Sequence, residues 1–136
     1  MDTKSRRLMN YLIDTHVLLW WITADKRLSS RATAAIGNRR STIFWSAASS
    51  WEISIKHALG RLEFDVPPEV LIPTELNLNR IETLAIQNEH AFLAGRLPLH
   101  HKDPFDRMLI AQAQIESLVL MSDDSTFKLY DIDLYW

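Results

Sequence analysis

Short apolar runs alternate along the chain with amphipathic stretches, and each run is closed by a polar residue or a turn signal. Residues 9–13, Met-Asn-Tyr-Leu-Ile, form a β-prone run that stops at Asp14. Thr15 is then placed to N-cap a helix through His16-Val17-Leu18-Leu19-Trp20-Trp21. Ser29 and Ser30 offer caps for a second helix with Ala32, Ala35 and Ile36 on one face, ended by Gly37 and Asn38. Residues 42–45, Thr-Ile-Phe-Trp, predict a second strand, and Ser46 to Ser50 offer several caps for the helix after it. In that helix Trp51, Ile55 and Leu59 fall on one stripe with Ile53 and Ala58 beside it, which reads as the apolar face; Gly60 supplies the stop. Glu52 and Lys56 share a different face, at the spacing of a surface pair worth a few tenths of a kcal/mol.

The second half repeats the alternation. Pro67 and Pro68 suit the first turn of a short helix through Leu76, and Ile81 to Leu84 suit a third strand. A helix is predicted over Gln87 to Leu97, closed by Pro98, and a polar loop, His100-His101-Lys102-Asp103-Pro104, leads into another over Phe105 to Glu116. Its apolar positions are Met108, Leu109, Ala111 and Ile115. Leu118-Val119-Leu120-Met121 is apolar throughout, which predicts a strand covered on both faces; a short helix near Phe127 and a last strand at Leu134 to Trp136 follow. Strands alternating with helices predict βαβ units: an α/β fold, a three-layer α/β/α sandwich around a mostly parallel sheet. Such sheets bind ligands outside the carboxyl ends of their strands.

Those strand ends are acidic. Asp14 closes the first strand, Glu52 lies in the helix after the second, Asp123 and Asp124 follow the run at 118–121, and Asp103 and Asp106 flank the start of the helix before it. Singly, each has a structural reading: Asp14 as a turn and cap residue, Asp106 as an answer to the helix dipole, Asp123 or Asp124 as a cap for the final short helix. Jointly they put an acid at every strand end of the inferred sheet. Carboxylates gathered on one rim repel one another until their pKa values rise or a divalent cation neutralises them. Oxygen donors without thiolates select hard ions such as Mg²⁺ or Mn²⁺, which activate water and stabilise charge at a phosphodiester.

Composition narrows the frame. A chain of 136 residues with 47% hydrophobic content suits a single domain with one sizeable core, with residues 1–8 as a polar extension and 9–136 as the domain. There are no cysteines, which removes disulfides, thiolate zinc sites and cysteine nucleophiles and accords with a reducing cytosol. The apolar stretch after the basic N-terminus is broken by Asp14 and His16 before it reaches signal-peptide or transmembrane length, so the expectation is a soluble, cytoplasmic protein without a membrane partner. The formal net charge of −2 excludes a passive basic coat for nucleic acid. With the six rim acids set aside, eleven acids remain against fifteen bases, so the scaffold is mildly basic, with Arg6, Arg7, Arg39, Arg40, Lys56, Arg61, Lys102 and Arg107 available to guide a polyanion.

At the same residues the sequence resembles PIN-domain proteins of the VapC toxin type. The resemblance rests on Tyr-Leu-Ile-Asp-Thr-His-Val-Leu-Leu-Trp-Trp (11–21), Ser-Ser-Trp-Glu-Ile-Ser-Ile-Lys (49–56) with Gly60-Arg61-Leu62, and Leu-Pro-Leu-His-His-Lys-Asp-Pro-Phe-Asp-Arg-Met-Leu-Ile-Ala-Gln-Ala (97–113). A looser match is Leu-Val-Leu-Met-Ser-Asp-Asp-Ser-Thr-Phe (118–127). It implies a single PIN domain with a five-stranded sheet, and a Mg²⁺- or Mn²⁺-dependent endoribonuclease that acts as a toxin. It also implies a VapB-like antitoxin partner and a homodimer. Residue by residue, the family's first three acids fall on Asp14, Glu52 and Asp106, with Asp103 as a helper. The fourth falls on Asp124 after Ser122, with Asp123 as the alternative. Asp14, Glu52, Asp106 and Asp124 would then hold metal, and metal-activated water would leave 5′-phosphate and 3′-hydroxyl ends.

The neighbouring polar residues have two readings each. Thr15 and Ser122 suit hydrogen bonds to the acids or to phosphate as well as caps. Lys56 and Arg107 suit phosphate oxygens or ion pairs with Glu52 and Asp103. No spacing of His16, His100 and His101 fits a zinc site, which leaves them a surface or substrate-loop role. Trp20, Trp21 and Trp51 suit core or partner surface ahead of base stacking. The rival functions are a non-catalytic PIN-fold module that binds RNA or protein, a receiver-like phosphoacceptor, and a DNA-directed nuclease. A receiver normally has an acidic pair after its first strand, whereas Asp14 stands alone.

Overall fold

The structure, a computed structural model, describes residues 9–136; the polar extension at 1–8 lies outside the described residues. Five strands form one sheet: β1 (Asn10–Ile13), β2 (Thr42–Ser46), β3 (Ile81–Leu84), β4 (Val119–Met121) and β5 (Leu134–Tyr135). Every pairing is parallel and the spatial order is β3-β2-β1-β4-β5. Six helices connect them: α1 (Thr15–Ile22), α2 (Ser30–Gly37), α3 (Ala47–Ala58), α4 (Pro68–Leu78), α5 (Asn88–Arg96) and α6 (Pro104–Glu116), with a 3-10 turn at Ser125–Leu129 before β5. The three-layer α/β/α architecture is the predicted one, with the sheet wholly parallel.

Alternation along the strands divides the core in two. Tyr11, Ile13, Ile43, Trp45, Val119 and Met121 point to one face, where they pack against Val17 and Leu18 of α1, Ala32 and Ile36 of α2, Ile53 of α3, and Ile72 and Leu76 of α4. Leu12, Leu120 and the partly buried Phe44 and Leu84 point to the other, under Leu109, Ile110 and Ala113 of α6, with Leu97, Phe127 and Tyr130. Both faces of β4 are therefore covered, as its unbroken apolar run requires.

Two local expectations are corrected. Asp14, not Thr15, caps α1: its Oδ1 accepts from the Val17 amide at 3.0 Å, and Thr15 becomes the first helical residue. The stripe Trp51, Ile55 and Leu59 on α3 faces outward, with Trp51 63% and Leu59 62% exposed. The buried residues of α3 are Ala48, Ser49, Glu52 and Ile53. Small side chains let this helix approach its neighbours closely, so the widest apolar stripe is the one left in solvent.

Register fixes the rim. Ile13 pairs with Trp45 on one side and with Met121 on the other, so the next residues, Asp14, Ser46 and Ser122, stand level at the carboxyl edge. The Asp14 amide donates to the Met121 carbonyl at 3.1 Å. From β1 the chain moves outward through β2 and β3, then returns to the opposite side of β1 at β4. This change of direction is the topological switch point, where adjacent connections diverge and leave a crevice.

Candidate metal centre

The crevice is a cleft of about 470 Å³ lined by Asp14, Thr15, His16, Glu52, Lys56, Asp103, Asp106, Asp123, Asp124, Ser125 and Phe127. All six acids singled out in the sequence border it.

Asp14 is buried at the head of α1, fixed by the Val17 amide and by a hydrogen bond with Ser122. Burial raises its pKa, outweighing both hydrogen bonds and the nearby His16. Glu52 is also buried, and both of its oxygens are held: the Thr15 hydroxyl donates to Oε1 at 2.6 Å and the Lys56 ammonium to Oε2 at 2.7 Å. The Glu52–Lys56 pair is thus no routine surface pair; it anchors a buried carboxylate. Thr15 serves Glu52 rather than the helix end.

The lower half of the cleft is built on the start of α6. Asp103 caps that helix, its Oδ1 accepting from the amides of Phe105 at 2.8 Å and Asp106 at 3.2 Å. Asp106, in the first turn, is pushed up to about 7 by burial and then by the charge of Asp103; Glu52 and Asp14 add to this and His101 opposes it. Asp124 caps the 3-10 turn through Oδ1, which accepts from the Thr126 amide at 2.9 Å, while its own amide donates to Ser122 Oγ at 3.1 Å. Partial burial opposes its ionisation, but hydrogen bonds from Thr126 and His101 outweigh this and hold its carboxyl below the usual range. Asp123 is exposed at the edge, and its charge contributes to the raised pKa of Asp14.

Two residues depart from their expected places. Arg107 is buried, and its guanidinium donates to four backbone carbonyls: Leu97 at 2.9 Å, Pro98 at 3.0 Å, His101 at 3.1 Å and Gly95 at 3.4 Å. It pairs with neither Glu52 nor Asp103, and it is not among the residues that line the cleft. Its work is to hold the segment between α5 and α6. His101, expected on the surface, has its Nε2 at 3.1 Å from both Asp106 Oδ2 and Asp124 Oδ2. The available signal was its position two residues before the cap of α6, in a loop that has to return to the rim. His16 lines the cleft and leans on Trp20, whereas exposed His100 packs edge-on against Tyr130.

The basic residues are reassigned accordingly. Arg39 and Arg40 precede β2 at the opposite edge of the sheet, where Arg39 borders a separate hollow with Asn79 and Arg80. Lys56 lines the cleft, and Lys102 is exposed in the loop that leads to Asp103. Arg6 and Arg7 lie outside the described residues. A second group, Glu89, His90 and Glu116, joins α5 to α6. There buried His90 accepts the Gln87 amide at Nδ1 and so donates from Nε2 to Glu116 at 3.0 Å, a satisfied structural tie.

The donor chemistry fits a hard divalent cation. The cleft offers carboxylate oxygens with no thiolate, and ligand atoms of His101, Asp106 and Asp124 lie within 4.8 Å of one another. The pKa of Asp106 is raised first by burial and then by the neighbouring carboxylates, and a bound cation would offset both.

A wholly parallel sheet in this order with an acidic cleft at its switch point defines a three-layer α/β/α class, and the comparisons identify the family. The profile of the PIN domain matches residues 11–133, so the chain belongs to the PIN-domain family. No curated relative matches the sequence. Among solved structures, the fold is similar to VapBC2 from Rickettsia felis bound to a promoter DNA fragment (TM-score 0.67, 15% identity, 93% of this chain and 98% of that one). It is also similar to FitAcB from Neisseria gonorrhoeae (0.66, 20%, 93% and 96%). A third is a toxin–antitoxin complex from Klebsiella pneumoniae (0.64, 16%, 93% and 96%).

Proposed function

We propose that this chain is a divalent-metal-dependent endoribonuclease, the toxin of a toxin–antitoxin pair. The observation that carries the reading is the convergence of Asp14, Glu52, Asp106 and Asp124 on one cleft at the switch point of the sheet. A Mg²⁺ or Mn²⁺ ion, when bound, supplies activation of water and neutralisation of charge at phosphorus. Asp14, Asp106 and Asp124 would hold it from the ends of β1 and β4 and the start of α6. Glu52 would complete the set, its two oxygens already positioned by Thr15 and Lys56. Lys56 and Lys102 draw the phosphodiester backbone to the rim, and single-stranded RNA is favoured by shape.

The partner proteins follow from the same reading. One of the similar solved structures is described as a toxin–antitoxin complex and another as VapBC2, which supports a VapB-like antitoxin as the inhibitor. A homodimer in the cytoplasm is the expected form; among the described residues no helix is long and apolar enough to cross a membrane.

The decisive experiment maps cleavage ends on cellular RNA, with wild-type protein beside Glu52→Gln. Ends bearing 5′-phosphate, formed with Mg²⁺ or Mn²⁺ and lost in the variant or in excess chelator, support the proposal. Cleavage that persists in chelator overturns the metal mechanism. RNA bound but left intact under every metal condition identifies a non-catalytic binding module instead.

A further inference from the structure

His101 stands among the acids without belonging to the set that the cleft's carboxylates define. Its Nε2 faces Asp106 Oδ2 and Asp124 Oδ2 at 3.1 Å each. A ring nitrogen carries at most one proton, so it cannot give both carboxylates a linear hydrogen bond at once. Two carboxylate oxygens thus converge on one ring nitrogen that can donate to only one of them. A cation placed among the three satisfies all three, since Nε2 then presents its lone pair. Adjacent ligand atoms of a small divalent ion stand about 3.0 Å apart, and the two Nε2–Oδ2 separations of 3.1 Å are close to that, with all three atoms within 4.8 Å of one another.

The imidazole is also held in place from behind. The His101 amide donates to the Tyr130 hydroxyl at 2.7 Å, and that hydroxyl donates to the Pro98 carbonyl at 2.6 Å. The His101 carbonyl accepts from buried Arg107, and its ring leans on fully buried Phe127 with centroids 5.4 Å apart. Such support suits a metal ligand, because affinity depends on donors fixed before the ion arrives.

We propose that His101 is a nitrogen ligand of the metal centre, bound beside Asp106 and Asp124, and that it biases the centre toward Mn²⁺ over Mg²⁺. Imidazole suits first-row transition ions, whereas Mg²⁺ prefers carboxylate and water. The inference rests on the proposed metal site and deepens it by naming a ligand outside the acids.

The test loads the purified full-length protein with Mn²⁺ or Mg²⁺ alone and reads binding directly. Pulsed electron paramagnetic resonance of the Mn²⁺-loaded wild type should show coupling to a nitrogen nucleus. His101→Ala and His101→Gln should lose that coupling and bind Mn²⁺ about tenfold more weakly, while Mg²⁺ affinity changes much less. His100→Ala, altering the exposed neighbour, should keep both. Near-ultraviolet circular dichroism establishes that each variant is folded, and the Gln variant preserves a polar side chain where Ala leaves space. Coupling absent from wild type, coupling persisting in both His101 variants, or equal losses for the two ions would overturn the proposal while leaving a carboxylate metal site intact. Failure of wild type to bind either ion would remove the metal reading itself.

Discussion

Replacing Arg107 separates two roles that the sequence leaves open, phosphate contact and internal support. The structure places its guanidinium in the interior with four backbone carbonyls as acceptors, at 2.9 to 3.4 Å. Arg107→Met keeps much of the volume and removes every donor. Hydrogen bonds from a charged group contribute roughly 1.5–3 kcal/mol each, but the guanidinium has already lost its hydration, so the four do not simply add. Removing one partner of a buried charged network typically costs about 3–5 kcal/mol, and we take about 3 because the Pro98, His101 and Gly95 carbonyls are only partly buried. Arg107→Lys keeps the charge but loses the planar fork, and should fall between wild type and Met.

Urea unfolding of the purified protein measures this. With a slope of about 1.5 kcal/mol/M, a loss of about 3 kcal/mol lowers the midpoint by about 2 M at unchanged slope. Lys102→Ala, at an exposed neighbouring position, should stay within about 0.5 kcal/mol. A phosphate-contacting arginine behaves in the opposite way: its loss spares stability, weakens RNA binding and lowers the salt dependence of binding by about one charge. If Arg107→Met loses less than about 1 kcal/mol while RNA binding weakens in that manner, the assignment to loop support is wrong.

Asp106→Asn tests the crowding of the acids. Its folded pKa of about 7 lies above the ordinary 3.8, so as pH rises between them the unfolded chain releases a proton that the folded chain keeps, and wild-type stability falls. The full shift corresponds to about 4 kcal/mol; with the side chain 26% exposed, about 1–2 kcal/mol is the working figure. In excess chelator the Asn variant should therefore melt higher than wild type at pH 8 and equal to it near pH 4, and a gap of the same size at both pH values contradicts the cause. Thr15→Val removes the 2.6 Å bond to Glu52 and should weaken Mn²⁺ binding, measured by calorimetry, by about tenfold; an unchanged affinity would show that Glu52 needs no such tether. Trp51→Ala removes an exposed ring that packs edge-on against Phe105 and should lose under about 1 kcal/mol in urea, against the 3–5 expected of a core tryptophan.

The sheet was legible because its signals are local. A parallel strand covered on both faces reads as a short apolar run, and β1 and β4 each end on a polar residue at the rim. Capping chemistry was legible to within one residue: Ser29 caps α2 and Ser46 caps α3, as side-chain oxygens at those positions allow. The error at Thr15 arises because Asp14 and Thr15 are both good caps and only the end of β1 decides between them. The error on α3 is of another kind. Periodicity identifies a stripe but not the partner that covers it, and α3 buries small residues and a charged one while presenting Trp51 and Leu59 to solvent.

Asp14, Asp123 and Asp124 were legible for the same reason as the strands: the carboxyl end of a parallel strand is fixed by where its apolar run stops, and parallel register makes those ends level; Glu52, Asp103 and Asp106 stand on α3 and at the start of α6, where the family resemblance singled them out. Arg107 and His101 were not legible, because their positions depend on a loop returning to the rim. The two are linked through that loop, since Arg107 holds the carbonyls of Leu97, Pro98 and His101, and the same segment delivers the imidazole to Asp106 and Asp124. One of the cations counted as free to guide RNA therefore works inside the protein, and the histidine set aside as surface works in the cleft. Six of the chain's seventeen acids border one cleft, where Lys56 also lines the wall and Arg27 stands near enough to Asp123 to feel its charge. On the proposed function, attraction of RNA to such a cleft would depend on the ion its carboxylates hold, and the expected outcome is RNA binding that falls when a chelator removes the metal, read in a binding assay with the catalytic step blocked by Glu52→Gln.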